Sequence, residues 1–228
     1  MNSKEDTRAV THYLDELVSA ARTKWIHPNT LKKILVRPVE NKEFFLIPSR
    51  SRLPKEFIRL EPWELEYLFS VATYVSGDIL EIGRYSGGST VVLASANKSS
   101  NIWSIDLHPQ DDERLKKIFH ELKIGSNVEL IEADSGTFYD SMIKELDLLF
   151  IDGDHSYEGC MRDIKVWWPK LKVGGHMILH DCYLGSEVQR ACVEFVSAVA
   201  CQIIASPWKG RYHYRCSEGS LCHVIKVT

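Results

Sequence analysis

The stretch ILEIGRYSGGSTVV, Ile79 to Val92, passes from a short apolar segment through glycines into residues suited to a helix start. Ile79, Leu80 and Ile82 make an apolar run of the length expected for a parallel strand covered on both faces. Gly83 ends that run. Gly87 and Gly88 predict a turn whose backbone approaches a ligand closely or takes positive φ. Ser89 and Thr90 offer hydroxyls to cap the helix that carries Val91, Val92 and Leu93, and an outward-facing helix N-terminus attracts anions. Three non-glycine residues separate Gly83 from the Gly87-Gly88 pair. This is not the G-x-G-x-x-G spacing of dinucleotide enzymes, which argues against a tightly cradled pyrophosphate. Glu81, inside the strand, needs a partner for its carboxylate, and an ammonium group suits it. A glycine-bearing strand-to-helix turn with no ligand has the same appearance, so the other strand ends decide.

Working outward, residues 61 to 75, EPWELEYLFSVATYV, place Pro62 in a first helical turn and Leu65, Leu68, Phe69, Ala72 and Val75 at core spacing. NIWSID (101 to 106) reads as a second strand ending in Asp106, about 25 residues after Glu81, where an acid can accept hydrogen bonds from a ribose diol or simply cap a loop. A helix over 111 to 122 follows. VELIEAD (128 to 134) gives a third strand ending at Asp134 with Ser135 next, and LDLLFIDGDH (146 to 155) a fourth ending at Asp152. Residues 157 to 168 form a helix with Cys160, Ile164, Trp167 and Trp168 inward, stopped by Pro169, and VGGHMILHDC (173 to 182) a turn and fifth strand ending in His180-Asp181. A helix spans 186 to 200. CQIIAS (201 to 206) and LCHVIKV (221 to 227) then read as two closing strands in a hairpin. Strand ends finishing repeatedly in acids matter because open parallel sheets bind ligands beyond the carboxyl ends of their strands. The alternation predicts an α/β fold: a doubly wound, mostly parallel seven-stranded sheet, Rossmann-like, with an antiparallel strand at the C-terminal end.

Ahead of this block, residues 5 to 23 carry the spacing of a packing helix, and 25 to 54 are interrupted by four prolines and hold a basic cluster, Lys32, Lys33, Arg37, Arg50 and Arg52. Residues 1–60 thus read as an N-terminal helical and irregular extension to a domain over 61–228. At 228 residues and 44% hydrophobic content the chain can bury a sizeable core. A net charge of −3 supplies no basic field for nucleic acid and no polybasic segment for a membrane, which favours a small-molecule partner. The polar N-terminus and the lack of a long apolar run place the chain in the cytoplasm. The oligomeric state is open, a homo-oligomer included. Six cysteines (160, 182, 192, 201, 216, 222) without a C-x-x-C pair indicate neither a zinc knuckle nor a redox motif and read as reduced packing thiols. His176 reads as a packing residue as well.

The strand and turn LEIGRYSGGST, the strand end SID at Asp106, and the run FIDGDHSYEGCMRDIKVWWPKLKVGGHMILHD resemble the class I S-adenosylmethionine-dependent methyltransferases. The resemblance is greatest to the macrolide-sugar and aminocoumarin-sugar O-methyltransferases and the cephalosporin hydroxylase-like proteins, and covers roughly residues 60 to 227. It implies S-adenosyl-L-methionine as cofactor, with Glu81, Gly83 and the turn Tyr85, Ser86, Gly87 to Ser89 around the methionine portion. It further implies Asp106 on the ribose, Asp134 and Ser135 beside the adenine, and Asp152 with His180-Asp181 on the side of a small-molecule hydroxyl acceptor. Metal-using members hold a divalent ion, Mg2+ or similar, by an acid at the fourth strand end and an acidic pair at the fifth. Here the corresponding metal residues are Asp152, Asp181 and His180, and imidazole suits softer metals than magnesium. The base of the family corresponds to His155, with Asp154 or Glu158 placed to orient its ring and Asp152 beside it as the second catalytic residue. Two rivals stand against O-methyl transfer: a nicotinamide-dependent oxidoreductase, disfavoured by the glycine spacing, and a catalytically silent cofactor-binding partner of another enzyme.

Overall fold

The computed structural model describes residues 57–138, 145–205 and 220–228. The helix expected over 5 to 23, the basic segment around 32 to 52 and the loop over 207 to 219 lie outside the described residues. The described chain divides into a helical unit, residues 57–75, 85–99 and 109–128, and a sheet unit, residues 76–84, 100–108 and 129–228.

The described part of the first unit holds three helices: α1 (Pro62–Tyr74), α2 (Gly88–Ala96) and α3 (Asp112–Leu122). Proline opens α1 where a missing N–H costs nothing, and Glu61 and Glu64 close a reciprocal capping box, Glu61 N donating to Glu64 Oε2 at 2.9 Å. Its expected core positions Leu65, Leu68, Phe69, Ala72 and Val75 are all buried. The Asn97 side-chain amide at the end of α2 donates to the carbonyls of Ala72 and Val75, both at 2.9 Å, and so satisfies the C-terminal turn of α1. Asp111 caps α3, accepting from Arg114 N at 2.9 Å.

The second unit holds one seven-stranded sheet: β1 (Asp78–Ile82), β2 (Ile102–Asp106), β3 (Val128–Glu132), β4 (Leu146–Ile151), β5 (Leu171–Leu179), β6 (Cys201–Ala205) and β7 (Cys222–Lys226). Its order is β3-β2-β1-β4-β5-β7-β6. The pairs of β1 with β2 and with β4, and of β4 with β5, are parallel, and β7 runs antiparallel to β5 and β6. The expected doubly wound sheet with its closing hairpin is therefore the observed one. Order reverses between β1 and β4, the switch point where such sheets open a crevice beyond their strand ends.

One sheet face carries Leu80, Ile82, Trp103, Ile105, Leu149, Ile151, Met177, Leu179 and Val224, and all belong to a single apolar core with α4 (Tyr157–Trp167) and α5 (Glu187–Ala198). Both helices start at a serine: Ser156 accepts from Gly159 N and Ser186 from Gln189 N, each at 3.0 Å. Pro169 does end α4, but the chain continues as a 3-10 turn over Trp168–Lys170 that leads directly into β5, so this strand starts two residues earlier than the sequence suggests. Trp167 and Trp168 are buried, as expected, and Trp168 meets Phe195 edge to face at a centroid distance of 5.1 Å. No helix among the described residues is long and apolar enough to cross a membrane.

His176 on β5 does pack in the core, and it does so against a second histidine. Its Nδ1 lies 2.9 Å from Nε2 of His223 on β7, both rings buried. Burial pushes His176 down to about 4, against a weak opposing pull from the Asp147 carboxylate, and burial together with the charge of His176 lowers His223. The unfolded rings protonate near pH 6.5, about where imidazole ordinarily does. In the acidic window below that value the unfolded chain binds more protons than the folded one, so stability is complete above it and is lost as pH falls toward about 4. The thermal midpoint is expected to drop across this window, His176 alone removing about 3 kcal/mol by its lower end. In His176→Gln, which keeps a donor for His223, the slope should flatten. An equally steep slope in that variant would assign the acid sensitivity elsewhere.

Candidate active site

The ends of four adjacent strands are locked in rank by backbone hydrogen bonds. Gly83 N donates to Ile105 O at 2.8 Å, Asp152 N to Ile82 O at 2.8 Å, and His180 N to Ile151 O at 3.0 Å. Gly83 has φ +85, and a Cβ there would collide with the carbonyl of Asp152. A side chain is thus excluded on two grounds, backbone conformation and contact.

From this rank four side chains converge. In a regular strand neighbouring side chains diverge to opposite faces, but Asp181 takes a left-handed conformation, φ +53, at the point where β5 has ended. Both His180 and Asp181 therefore reach the same cluster. His180 Nδ1 lies 3.0 Å from Asp152 Oδ1 and 3.5 Å from Asp181 Oδ2, while His155 Nε2 lies 3.4 Å from each of Asp152 Oδ1 and Asp181 Oδ2. Asp152, His155 and Asp181 each present one ligand atom, and the three atoms lie within 4.8 Å of one another. All the residues expected to serve the metal and the base are brought together, and the converging trio contains His155, with His180 bonded to Asp152 alongside.

The ring of His155 is about half exposed, with a side-chain exposure of 54% against 10% for His180, so it is the imidazole that an incoming molecule can meet. Its hydrogen bond to Asp152 and the charges of Asp152 and Asp181 raise its pKa above the ordinary histidine value in spite of partial burial. Burial would raise Asp152, but the charges and hydrogen bonds of His180 and His155 outweigh it and hold this carboxyl below its usual range. Asp154, expected as an orienter of His155, instead accepts from Ser156 N at 2.9 Å in the turn before α4. Asp152 and Asp181 occupy the orienting position. Two carboxylates and an imidazole form a donor set that fits a divalent ion of hard to borderline character.

The residues at the other strand ends are held by short polar contacts. Asp106 accepts from Arg84 N at 2.9 Å and His108 N at 2.7 Å, one backbone donor on each carboxylate oxygen. Glu81 is buried in β1 and accepts from the Ser104 hydroxyl at 2.6 Å, from the facing position of β2. Asp134 accepts from Gly136 N at 2.8 Å, with the Arg162 guanidinium at 3.3 Å. Ser135 is buried, donates to Asp163 Oδ1 at 2.7 Å, and its carbonyl accepts from Trp167 Nε1 at 3.0 Å. Arg84, fully buried, donates to the carbonyls of Ser104 and Ile131, both at 2.8 Å. Arg84, Asp163 and Trp167 thus fix the strand ends, and the sequence reading assigned none of them a part in the site.

The turn between β1 and α2 departs from expectation in its details. Gly87 is itself the helix N-cap, at φ +88 and without a side-chain hydrogen bond, so neither Ser89 nor Thr90 caps α2; both are buried within its first turn. A Cβ on Gly88 would run into the carbonyl of Phe57, and one on Gly87 into the side chain of Leu115. Both contacts lie inside the helical unit. Tyr85, at φ +49, keeps its ring exposed with the Arg59 guanidinium 4.8 Å from its centroid.

The segment from Leu80 in β1 to Cys182 after β5 matches the family described as methyltransferase domain. Over these residues the chain is similar to methyltransferase domains. A relative from Acanthamoeba polyphaga mimivirus, "Uncharacterized protein R132", is 33% identical over 110 residues, 45% of this chain and 50% of that one. The chain thus spans about half the length of this relative. The O-methyltransferase NovP superposes with a TM-score of 0.64 over 96% of this chain and 100% of its own, at 15% identity. An rRNA methylase from Streptococcus thermophilus gives 0.53 over 73% and 95%, at 16% identity. At such identities the likeness is one of fold, the Rossmann-like fold of class I S-adenosylmethionine-dependent methyltransferases.

Proposed function

We propose that the methyltransferase domain transfers the methyl group of S-adenosyl-L-methionine to a hydroxyl of a small molecule, a sugar or sugar-bearing natural product, with a divalent ion as aid. The observation that carries this reading is the Asp152, His155, His180, Asp181 cluster at the ends of β4 and β5, inside the segment that matches the family. Bound S-adenosylmethionine supplies an electrophilic methyl carbon on a sulfonium. The chain must align an oxygen against that carbon, take up one proton and keep water out. Asp106, at the end of β2, serves the ribose diol. Glu81 and Gly83 with the Tyr85, Ser86, Gly87, Ser89 turn serve the methionine portion, and Asp134 with Ser135 the adenine. On the acceptor side His155 Nε2 receives the hydroxyl proton, and Asp152 and Asp181, each 3.4 Å from that nitrogen, stabilise the imidazolium. A divalent ion would be held by Asp152 and Asp181 with His180 as further donor, and would supply Lewis acidity toward the acceptor oxygen.

The fold is shared by O-methyltransferases and rRNA methylases alike, and a net charge of −3 favours a small acceptor over RNA. We assign this chemistry to residues 61–228 in the cytoplasm and a part in acceptor choice to residues 1–60. Calorimetry on the full chain is expected to show binding of S-adenosylmethionine and of S-adenosylhomocysteine. Asp106→Asn, which keeps one oxygen to accept a backbone N–H, should weaken both by about 1.5–3 kcal/mol, the scale for charge-assisted hydrogen bonds. Binding of NAD with neither of these ligands would replace this reading with that of an oxidoreductase. Exhaustive chelation should remove most turnover and added Mg2+ or Mn2+ restore it. Undiminished turnover with no metal by elemental analysis would leave the carboxylates to bind the acceptor directly. Tight cofactor binding with no transfer to any hydroxyl acceptor would favour the silent partner.

A further inference from the structure

Three cysteines far apart in sequence meet in the core of the sheet unit. Cys182 follows β5 and donates its backbone N–H to Ser220 O at 2.6 Å, Cys192 lies on the buried side of α5, and Cys222 opens β7 opposite Leu179. All three are completely buried, their Sγ atoms lie within 4.8 Å of one another, and Cys192 Sγ is 3.5 Å from Cys222 Sγ. A fourth buried cysteine, Cys160 on α4, belongs to the same apolar core. Cysteine packs well as a small hydrophobe, and a pair of core cysteines needs no further account. Three sulfurs converging from three elements on one point are different. Thiolates around zinc at about 2.3 Å from the metal stand about 3.8–4.0 Å apart, a spacing these side chains can adopt with shifts of a few tenths of an ångström.

We propose that Cys182, Cys192 and Cys222 form a buried trithiolate site for a thiophilic divalent ion, zinc by availability. Each sulfur gives its proton to solvent on binding, and the ion offsets most of the charge that thiolates in an apolar core would otherwise carry uncompensated. The site is separate from the carboxylate cluster in chemistry, because sulfur selects soft ions and the Asp152, His155, Asp181 set selects harder ones. Its first ligand adjoins Asp181 in sequence. The ion therefore ties the end of β5 to α5 and β7 and fixes the backbone from which His180 and Asp181 project.

The probe is Cd2+, whose thiolate complexes add a sulfur-to-metal charge-transfer band in the ultraviolet, on the short-wavelength side of the aromatic bands, that its carboxylate and imidazole complexes lack. Full-length chain refolded with Cd2+ present, which gives the ion access before the core closes, is expected to show this band saturating at one ion per chain and a raised thermal midpoint. Asp152→Asn should leave the band unchanged. Cys192→Ser and Cys222→Ser should each weaken cadmium binding by about 100-fold or more. No band in correctly refolded wild-type protein overturns the proposal, and that measurement stands even where a serine variant fails to fold. A band unaltered by Cys192→Ser overturns it as well, since it would belong to cysteines outside the proposed set. So does a Cys192–Cys222 disulfide found by mass spectrometry in protein purified without oxidant.

Discussion

His155→Ala is expected to lower kcat by about 10²–10⁴ with the affinity for S-adenosylmethionine nearly unchanged. The ring stands about half exposed beside Asp152 and Asp181, whose carboxylates orient it and raise its proton affinity. Removing it deletes the proposed acceptor of the hydroxyl proton and leaves the strand ends intact, because the backbone bonds of Gly83, Asp152 and His180 make no use of it. The thermal midpoint should therefore stay near that of the wild type. A kcat within a few-fold of wild type would move the proton to another acceptor, and His180 is the next candidate. Loss of turnover in proportion to lost folding would give His155 a structural role in the loop before α4.

Gly83→Ala should be among the most damaging single-methyl changes in the sheet unit. The residue holds φ +85, and its new Cβ would strike the Asp152 carbonyl, a backbone atom that can retreat only by separating β4 from β1. Together these effects are expected to cost about 2–4 kcal/mol and to displace the Asp152 carboxylate from the cluster. Gly174 provides the control. It has φ +82 with nothing within 4 Å of where a Cβ would stand, so Gly174→Ala carries the backbone strain alone, about 1 kcal/mol. Chemical denaturation of the two variants separates collision from conformation, and equal destabilisation would show that the contact with Asp152 relaxes at no cost.

Much of this site is legible in the sequence because parallel strands announce themselves as apolar runs and their carboxyl ends as the polar residues that follow. Asp106, Asp134, Asp152 and His180-Asp181 all stand where that reading puts them. What stays hidden depends on partners distant along the chain. The buried Arg84 looks like one more polar turn residue until the carbonyls of Ser104 and Ile131, 20 and 47 positions away, are seen to receive it. The pairing of His176 with His223 bridges 47 residues. Near neighbours mislead for the same reason: Asp154 adjoins His155 in sequence, but its carboxylate is taken by the backbone of Ser156. The atoms that a side chain on Gly87 or Gly88 would meet, in Leu115 and Phe57, are likewise distant along the chain.

The left-handed backbone at Asp181 also restricts how this position can drift. Glycine, asparagine and aspartate accept such a conformation at little cost, while β-branched and bulky residues do not. On the proposed function, a lineage that gave up the ion but kept the domain would therefore pass through asparagine or glycine at this position, and glutamate, the chemically nearest carboxylate, is a poor substitute there. Asp181→Asn or Asp181→Gly beside an unchanged Asp106 would then mark a domain that keeps its cofactor and loses its chemistry.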